Sequence, residues 1–425
     1  MYNRLRALWQ VMHDAALSRA DLEKVVHRRL KAVLVSAYLK VPYYRESMQA
    51  SGYNPLNDYR GPADLVNLPI TTKQVLKQRG ITEFIRNGAN MSSCYKDSTS
   101  GSTGVPLVVY RDSYERAVQI AKWLRALFVN GYSVRDKVMS ITGSARLAEG
   151  RTFLQHFGIL RRLPVDYTLP PEKMADALLD YEPNVIYGGR SFLEFMCMEL
   201  GRRGVRAKPA KLVIATNEMI REGSRNLCRQ HFGVELTESY GSVEMGVMAH
   251  ETPEHDGLHL CEDLTFFEFL DDNDKPVSPG GVGRVIVTDL IGRLMPFIRY
   301  DQGDRVAFRE QQDEDVHKWR RITRIVGRDD DYVVLPDGRR CGFDAIYQVI
   351  DGYHGITQFR IVQRSRSLFQ ILVAADGAYL ASIREDLVRR LEAAFVPEAR
   401  YEVVQVNRIE ADPNGKTRIF ISEAD

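Results

Sequence analysis

Several short stretches of the chain carry residue types with complementary chemistry. The first runs from Asp97 to Asp112 and reads DSTSGSTGVPLVVYRD. Its hydroxyl residues Ser98, Thr99, Ser100, Ser102 and Thr103 surround Gly101 and Gly104. Glycine lets the backbone turn sharply and aim its N–H groups at an anion, and hydroxyls add donors that rotate to suit it. The natural ligand of such a loop is a polyphosphate. A flexible Ser/Gly turn between two strands is the plain alternative. No Gly-Lys-Ser/Thr closes the loop, so it is not of the Walker A type.

Four further stretches join it. Glu238-Ser239-Tyr240-Gly241-Ser242-Val243-Glu244 follows an expected strand at Gly233 to Leu236. An aromatic beside a glycine at a strand end can stack on a base, and a nearby carboxylate can hold a divalent cation. Arg299-Tyr300-Asp301-Gln302-Gly303-Asp304 sets a carboxylate in a glycine turn, suited to a ribose diol. Gly327-Arg328-Asp329-Asp330 puts a cation beside a run of acids, and Pro413-Asn414-Gly415-Lys416-Thr417-Arg418 presents a lysine on a turn. Each has a bland counterpart: a core tyrosine, a surface turn, a solvated linker, and a hairpin turn whose lysine faces water.

The elements that must position these residues can be read from periodicity. Val26, Leu30, Val33, Leu34 and Ala37 recur at helical steps, and Pro42 stops that helix. Thr71 or Thr72 caps a short helix after Leu68-Pro69-Ile70. From Lys137 to Phe232 strands and helices alternate, which argues for an α/β domain with a mainly parallel sheet. Beyond about residue 257, strand-like runs at Phe266 to Leu270, Gly283 to Asp289 and Phe297 to Tyr300 are separated by Gly/Pro/Asp turns, an antiparallel pattern. A small α+β segment follows Gly327, with its helix at Leu380 to Phe395. The fold class is therefore α/β.

Composition narrows the partners. The chain has 425 residues, enough for a large domain and a small one, and 44% of them are hydrophobic. Lys and Arg number 58 against 56 Asp and Glu, a net charge of +2 that gives no electrostatic case for nucleic acid. The five scattered cysteines suggest no disulfide framework and fit a reducing cytoplasm. No apolar run has the length of a membrane span, and the N-terminus lacks a signal-peptide core.

In order and spacing the five stretches resemble the adenylate-forming superfamily of acyl-CoA synthetases, adenylation domains and luciferases. The chain is most similar to its phenylacetate–CoA ligase-like branch, which includes the CapK-type polysaccharide proteins. STSGSTGVP matches the phosphate loop, ESYGSVE the aromatic-Gly-x-Thr-Glu motif, YDQGD the Tyr-Arg-Thr-Gly-Asp motif, GRDDD the hinge and NGKTR the catalytic-lysine motif. VPYYRE and LPITTK are also typical of the branch.

The resemblance implies a large N-terminal domain with mixed sheets, residues 1–327, and a small mobile α+β C-terminal domain, residues 328–425. It implies that Ser100, Gly101, Ser102, Thr103 and Gly104 hold the ATP phosphates. Tyr240, with Gly241 and Ser242, would lie along the adenine, and Thr216, Asn217 and Glu218 would form its other side. Glu244 would ligate Mg²⁺, Asp304 and Arg328 would hold the ribose, Asp330 would be the hinge, and Lys416 would bridge the acid and the α-phosphate. The implied reaction is ATP- and Mg²⁺-dependent activation of a carboxylic acid, with pyrophosphate released and the acyl group passed to CoA. A carrier-protein thiol or an amine is the alternative acceptor, and a non-catalytic nucleotide-binding protein the third reading. A homodimer and a cytoplasmic location are compatible with all three.

The departures are specific. Leu107 stands where many members carry lysine, Val243 where threonine is usual, and Asp301 and Gln302 depart from the Arg-Thr of their motif. Pro336-Asp337-Gly338 occupies the place of a Gly-rich turn in thiol-forming relatives, which keeps the amine acceptor open. The acyl pocket is expected among Phe128 to Tyr132, Tyr187 to Arg190 and the turn after Tyr240, with Arg190 facing either a polar substrate or water. His250, His255, His259 and Cys261 lie close together without a standard zinc spacing, and exposed histidines on a polar loop are the expectation.

Overall fold

The computed structural model describes residues 2–98, 107–143, 153–310, 319–328, 332–353, 355–395, 399–410 and 417–424. The chain divides into two compact units, one of Met1–Val129 with Ser239–Ile325 and one of Asn130–Glu238 with Val326–Asp425.

In the first unit the N-terminal helices Tyr2–Ala15, Arg19–Lys40 and Pro42–Ala50 form as their periodicity requires. Pro42 does more than end the second helix. It starts the third at its first position, where its missing N–H costs nothing. Thr72 is the cap of Lys73–Arg79, accepting from Val75 N at 3.2 Å. Strands Thr265–Leu270, Val282–Asp289 and Tyr300–Arg309 pair antiparallel in sequence order, as their turn spacing predicts. Phe297–Arg299 lies before the last of these and not in it. Leu258–Leu260 and Gly246–His250 continue the same unit, and the hairpin Tyr95–Ser98 with Val108–Arg111 forms a separate two-stranded sheet. Leu30, Leu34, Met48, Val285, Val287, Phe297 and Ile322 are among the residues of the buried core.

In the second unit the strands Leu212–Thr216, Val185–Gly189, Val138–Thr142 and Arg162–Asp166 lie side by side and parallel. Burial is nearly continuous in the first three, as expected of a sheet covered by crossover helices, while Arg162–Asp166 is mostly half-buried. Helices Pro171–Tyr181, Arg190–Arg203 and Glu222–Phe232 follow strands in turn. The same unit holds a 4-stranded sheet in the order Arg400–Gln405, Leu368–Ala375, Ile356–Ser365, Phe420–Ser422, packed by helices Asp344–Asp351 and Gly377–Ala394. Among the described residues no helix is long and apolar enough to cross a membrane.

Candidate active site

In the first unit the site is built on one tight turn. Glu244 sits between the strand ending at Ser242 and the strand beginning at Gly246. Ser242 Oγ accepts from Met245 N at 3.1 Å and closes the turn. Glycine is required on both sides of it. A Cβ on Gly241 would lie 2.4 Å from the Gly246 carbonyl oxygen, and Gly246 has φ +67°.

Buried cations grip the backbone of that turn. Arg111 donates to the carbonyls of Val243 and Glu244, the latter at 2.8 Å, and Lys122 Nζ donates to the Met245 carbonyl at 2.7 Å. Burial pulls the Lys122 ammonium below its ordinary value. The Glu244 side chain is buried, and the Tyr300 hydroxyl donates to its Oε1 at 3.0 Å. Burial, and next the Glu244 charge, push the Tyr300 phenol well above its ordinary value, so it remains a donor. No cation pairs with the Glu244 carboxylate among the described residues. A buried carboxylate with lone pairs to spare is a hard oxygen donor, the chemistry that suits Mg²⁺.

Tyr240 and Asp304 are brought together. The Tyr240 hydroxyl donates to Asp304 Oδ2 at 2.8 Å. The expectation of a glycine turn around Asp304 is corrected: the segment lies inside the strand Tyr300–Arg309. The pairing with Val282–Asp289 instead slips between Arg284–Arg305 and Ile286–Asp301, and Gly303 has φ +69°. Such a bulge re-aims side chains without ending the strand. Asp301, one of the departures from the family pattern, pairs with Arg284 at 2.8 Å.

The second unit holds Thr216, Asn217, Glu218 and Arg328. Thr216 ends a parallel strand, Asn217 adopts a left-handed φ of 68°, and Glu218 turns back onto the helix Arg190–Arg203. Its carboxylate accepts from Ser191 N at 2.8 Å and lies 3.4 Å from Arg190 Nη2. Thr417 N, next in sequence to Lys416, reaches Glu218 Oε1 at 3.4 Å. Arg221 donates to Glu194 and, at 2.9 Å, to the Thr357 carbonyl, while the Tyr347 hydroxyl donates to Ile220 O at 3.2 Å. The segment Asn217–Arg221 is thus the place where residues 332–424 meet the parallel-sheet part of this unit. Arg328 is exposed at the end of the strand Arg321–Arg328.

Arg190 does not face water. It is 2% exposed and pairs with Glu194 at 2.7 Å, and Glu194 is shared with Arg221 and Ser224. The expected exposed histidines are likewise corrected. His250 and His259 are buried cross-strand partners, and Cys261 is buried beside them in the chain. Strand pairing turned these polar positions inward. His259 Nε2 meets Asp256 at 2.8 Å and His255 Nδ1 meets Glu251 at 3.2 Å. Among the described residues no group of three or more His, Cys, Asp or Glu could hold a metal.

Ser100, Gly101, Ser102, Thr103, Gly104, Asp330 and Lys416 lie outside the described residues. Sequence reading missed Arg111, Lys122 and Tyr300. A signal existed for the first two. Arg111 shares the inward face of its strand with Val109, and Lys122 falls one turn from Val118 on the buried face of its helix.

No family model matches the chain. It is 26% identical over 336 residues to a phenylacetate–coenzyme A ligase of Thermus thermophilus, covering 75% of this chain and 73% of that protein. It is 29% identical over 332 residues to the Escherichia coli phenylacetate–coenzyme A ligase, covering 74% and 73%. Its fold matches crystal structures of 2-hydroxyisobutyryl-CoA ligase. The TM-score is 0.80 for a postadenylation complex with an acyl-AMP, at 18% identity over 96% of this chain and 91% of that one. It is 0.65 for a complex with 2-HIB-AMP and CoA in the thioesterification state, at 19% identity over 97% and 92%. In sequence the chain is therefore similar to phenylacetate–coenzyme A ligases, and it shares the fold of 2-hydroxyisobutyryl-CoA ligase.

Proposed function

We propose that the protein activates a carboxylic acid with ATP, releasing pyrophosphate, and transfers the acyl group of the acyl-adenylate to CoA. The observation that carries this reading is the buried Glu244 carboxylate, paired with no cation among the described residues, held by Tyr300 and lying in the same unit as the Tyr240–Asp304 pair. The relatives named above are CoA ligases, which supports a thiol acceptor.

The chemistry sets two anions against each other, a carboxylate and a polyphosphate. Glu244 would hold Mg²⁺, which neutralises phosphate charge when bound. Tyr240 would lie against the adenine, with Thr216, Asn217 and Glu218 on its other side, and Asp304 and Arg328 would hold the ribose. The backbone and hydroxyls of Ser100 to Gly104 would cradle the phosphates. Lys416 would bring its ammonium to the attacking carboxylate, the electrostatic stabilisation that is commonly the largest catalytic contribution. Residues 328–425 would carry that lysine in and out as a lid hinged at Asp330.

An amine acceptor is the second reading. Pro336-Asp337-Gly338 supports it, forming a tight turn in which Gly338 N donates to Leu335 O at 2.9 Å. ATP–pyrophosphate exchange across aromatic, aliphatic, hydroxy and amino acids, with and without CoA and amines, tests both readings. Acid-dependent exchange and a CoA thioester are expected. A CoA-independent amide would replace the acceptor, and silence across the panel would overturn the reading.

A further inference from the structure

We infer that Arg111 is a positioning residue that holds Glu244 at a fixed place against the hairpin Tyr95–Ser98/Val108–Arg111; this rests on the nucleotide-site reading above. The hairpin pairs Tyr95 with Arg111, Asp97 with Val109 and Ser98 with Val108, so its strands are locked at the base of the Ser/Thr/Gly stretch. From the second strand the Arg111 guanidinium reaches in opposite directions. Its Nη1 donates to Asp97 Oδ2 on the first strand at 2.8 Å. Its Nη2 donates to the carbonyls of Val243 and, at 2.8 Å, Glu244. Arg116 also lies 3.4 Å from Asp97 and steadies that anchor.

The arrangement uses what is particular to arginine. A rigid, planar fork with several donors fixes both partners at once, whereas a lysine ammonium is a point charge on a flexible stem. The side chain is 6% exposed, so water cannot substitute for these bonds. Both of its carbonyl acceptors belong to the turn that carries Glu244. Displacing that turn would move the carboxylate while leaving its chemistry intact. Misplacing a reacting group by about 1 Å can cost about a hundredfold in rate.

The test uses the full-length protein. ATP affinity is measured by calorimetry with and without Mg²⁺ for the wild type and for Arg111→Met, Arg111→Lys, Asp97→Asn and Glu244→Gln, with the melting temperature of each. The wild type should bind ATP more tightly with Mg²⁺, and Glu244→Gln should lose that gain. Arg111→Met should lose about tenfold of the gain while its metal-free affinity stays within about twofold. Arg111→Lys should recover only part of it, and Asp97→Asn should lose less than Arg111→Met. If Arg111→Met fails to fold, Arg111→Lys and Asp97→Asn decide the question. Variants that melt lower yet keep the full Mg²⁺-dependent gain would overturn the proposal and leave Arg111 a structural ion pair. A wild type that binds no ATP would overturn the nucleotide reading itself, a result visible before any variant is compared.

Discussion

The Tyr300 hydroxyl donates to Glu244 Oε1 at 3.0 Å, joining a strand of the antiparallel sheet to the turn after Ser242. This bond aims one carboxylate oxygen, and no partner for the other lies among the described residues. Tyr300→Phe should fold normally and lose about 1.5–3 kcal/mol of orientation, the usual worth of a hydrogen bond to a charged group. Steady-state kinetics should show a higher Mg²⁺ requirement for acid-dependent exchange. Glu244→Gln should lose about 10²–10³ in rate. Equal activity in both variants and the wild type would remove Glu244 from the site.

Stability should depend on pH through His250. Burial, reinforced by the Arg125 charge, pushes His250 down to about 4. Its folded value lies below the ordinary 6.5, so the unfolded chain binds the proton more readily. Its contribution is full above about pH 6.5 and is lost as the pH falls toward about 4, up to about 3 kcal/mol. His250→Asn should flatten the stability curve over that window. Urea unfolding at several pH values checks it.

Glu194 should be the least replaceable residue in the buried network of the second unit. Burial alone would raise its carboxyl, but Arg190 and Arg221 beside it, with Ser224, bring it down to about 2. Glu194→Gln removes the carboxylate paired with Arg221 and leaves Arg190 only the longer Glu218 contact at 3.4 Å, a change that costs about 3–5 kcal/mol. Arg221→Ala should be milder in melting temperature. It should speed hydrogen exchange around Thr357, whose carbonyl loses its donor. Unchanged exchange there would mean that Arg221 does not fasten that strand.

Gly241→Ala should abolish activity by a steric route. The added Cβ would meet the Gly246 carbonyl oxygen at 2.4 Å, a backbone atom that cannot swing aside, and the turn carrying Glu244 must open. The near-ultraviolet circular dichroism spectrum should change along with loss of exchange. Gly342→Ala makes a useful control, because nothing lies within 4 Å of its added Cβ.

Lys416→Ala should separate the half-reactions. Acid-dependent pyrophosphate exchange should fall about 10²–10³-fold. Thioester formation from a synthetic acyl-adenylate should survive. Loss of both would place Lys416 outside adenylation alone, and loss of neither would remove its role.

The chemistry-bearing stretches, the alternating βα part and the antiparallel part were legible in the sequence, because periodicity, caps and turn residues act over a few neighbours. Thr72 could be named as a cap for that reason. The family resemblance implied roles for Tyr240, Glu244 and Asp304 without their geometry. Their partners came only from the tertiary structure. Arg111 and Glu244 are 133 positions apart, and Tyr300 and Glu244 are 56 apart. Which strand ends face each other depends on sheet order and register, and no local pattern encodes either. The same is true of His250, His259 and Arg190. Their local sequence is polar, yet pairing and packing bury them, and ion pairs and hydrogen bonds to near neighbours in the chain, Glu194 for Arg190 and Asp256 for His259, offset the cost of burial. Sequence determined which groups are available; the fold decided which of them meet, because burial and long-range pairing are properties of the whole chain.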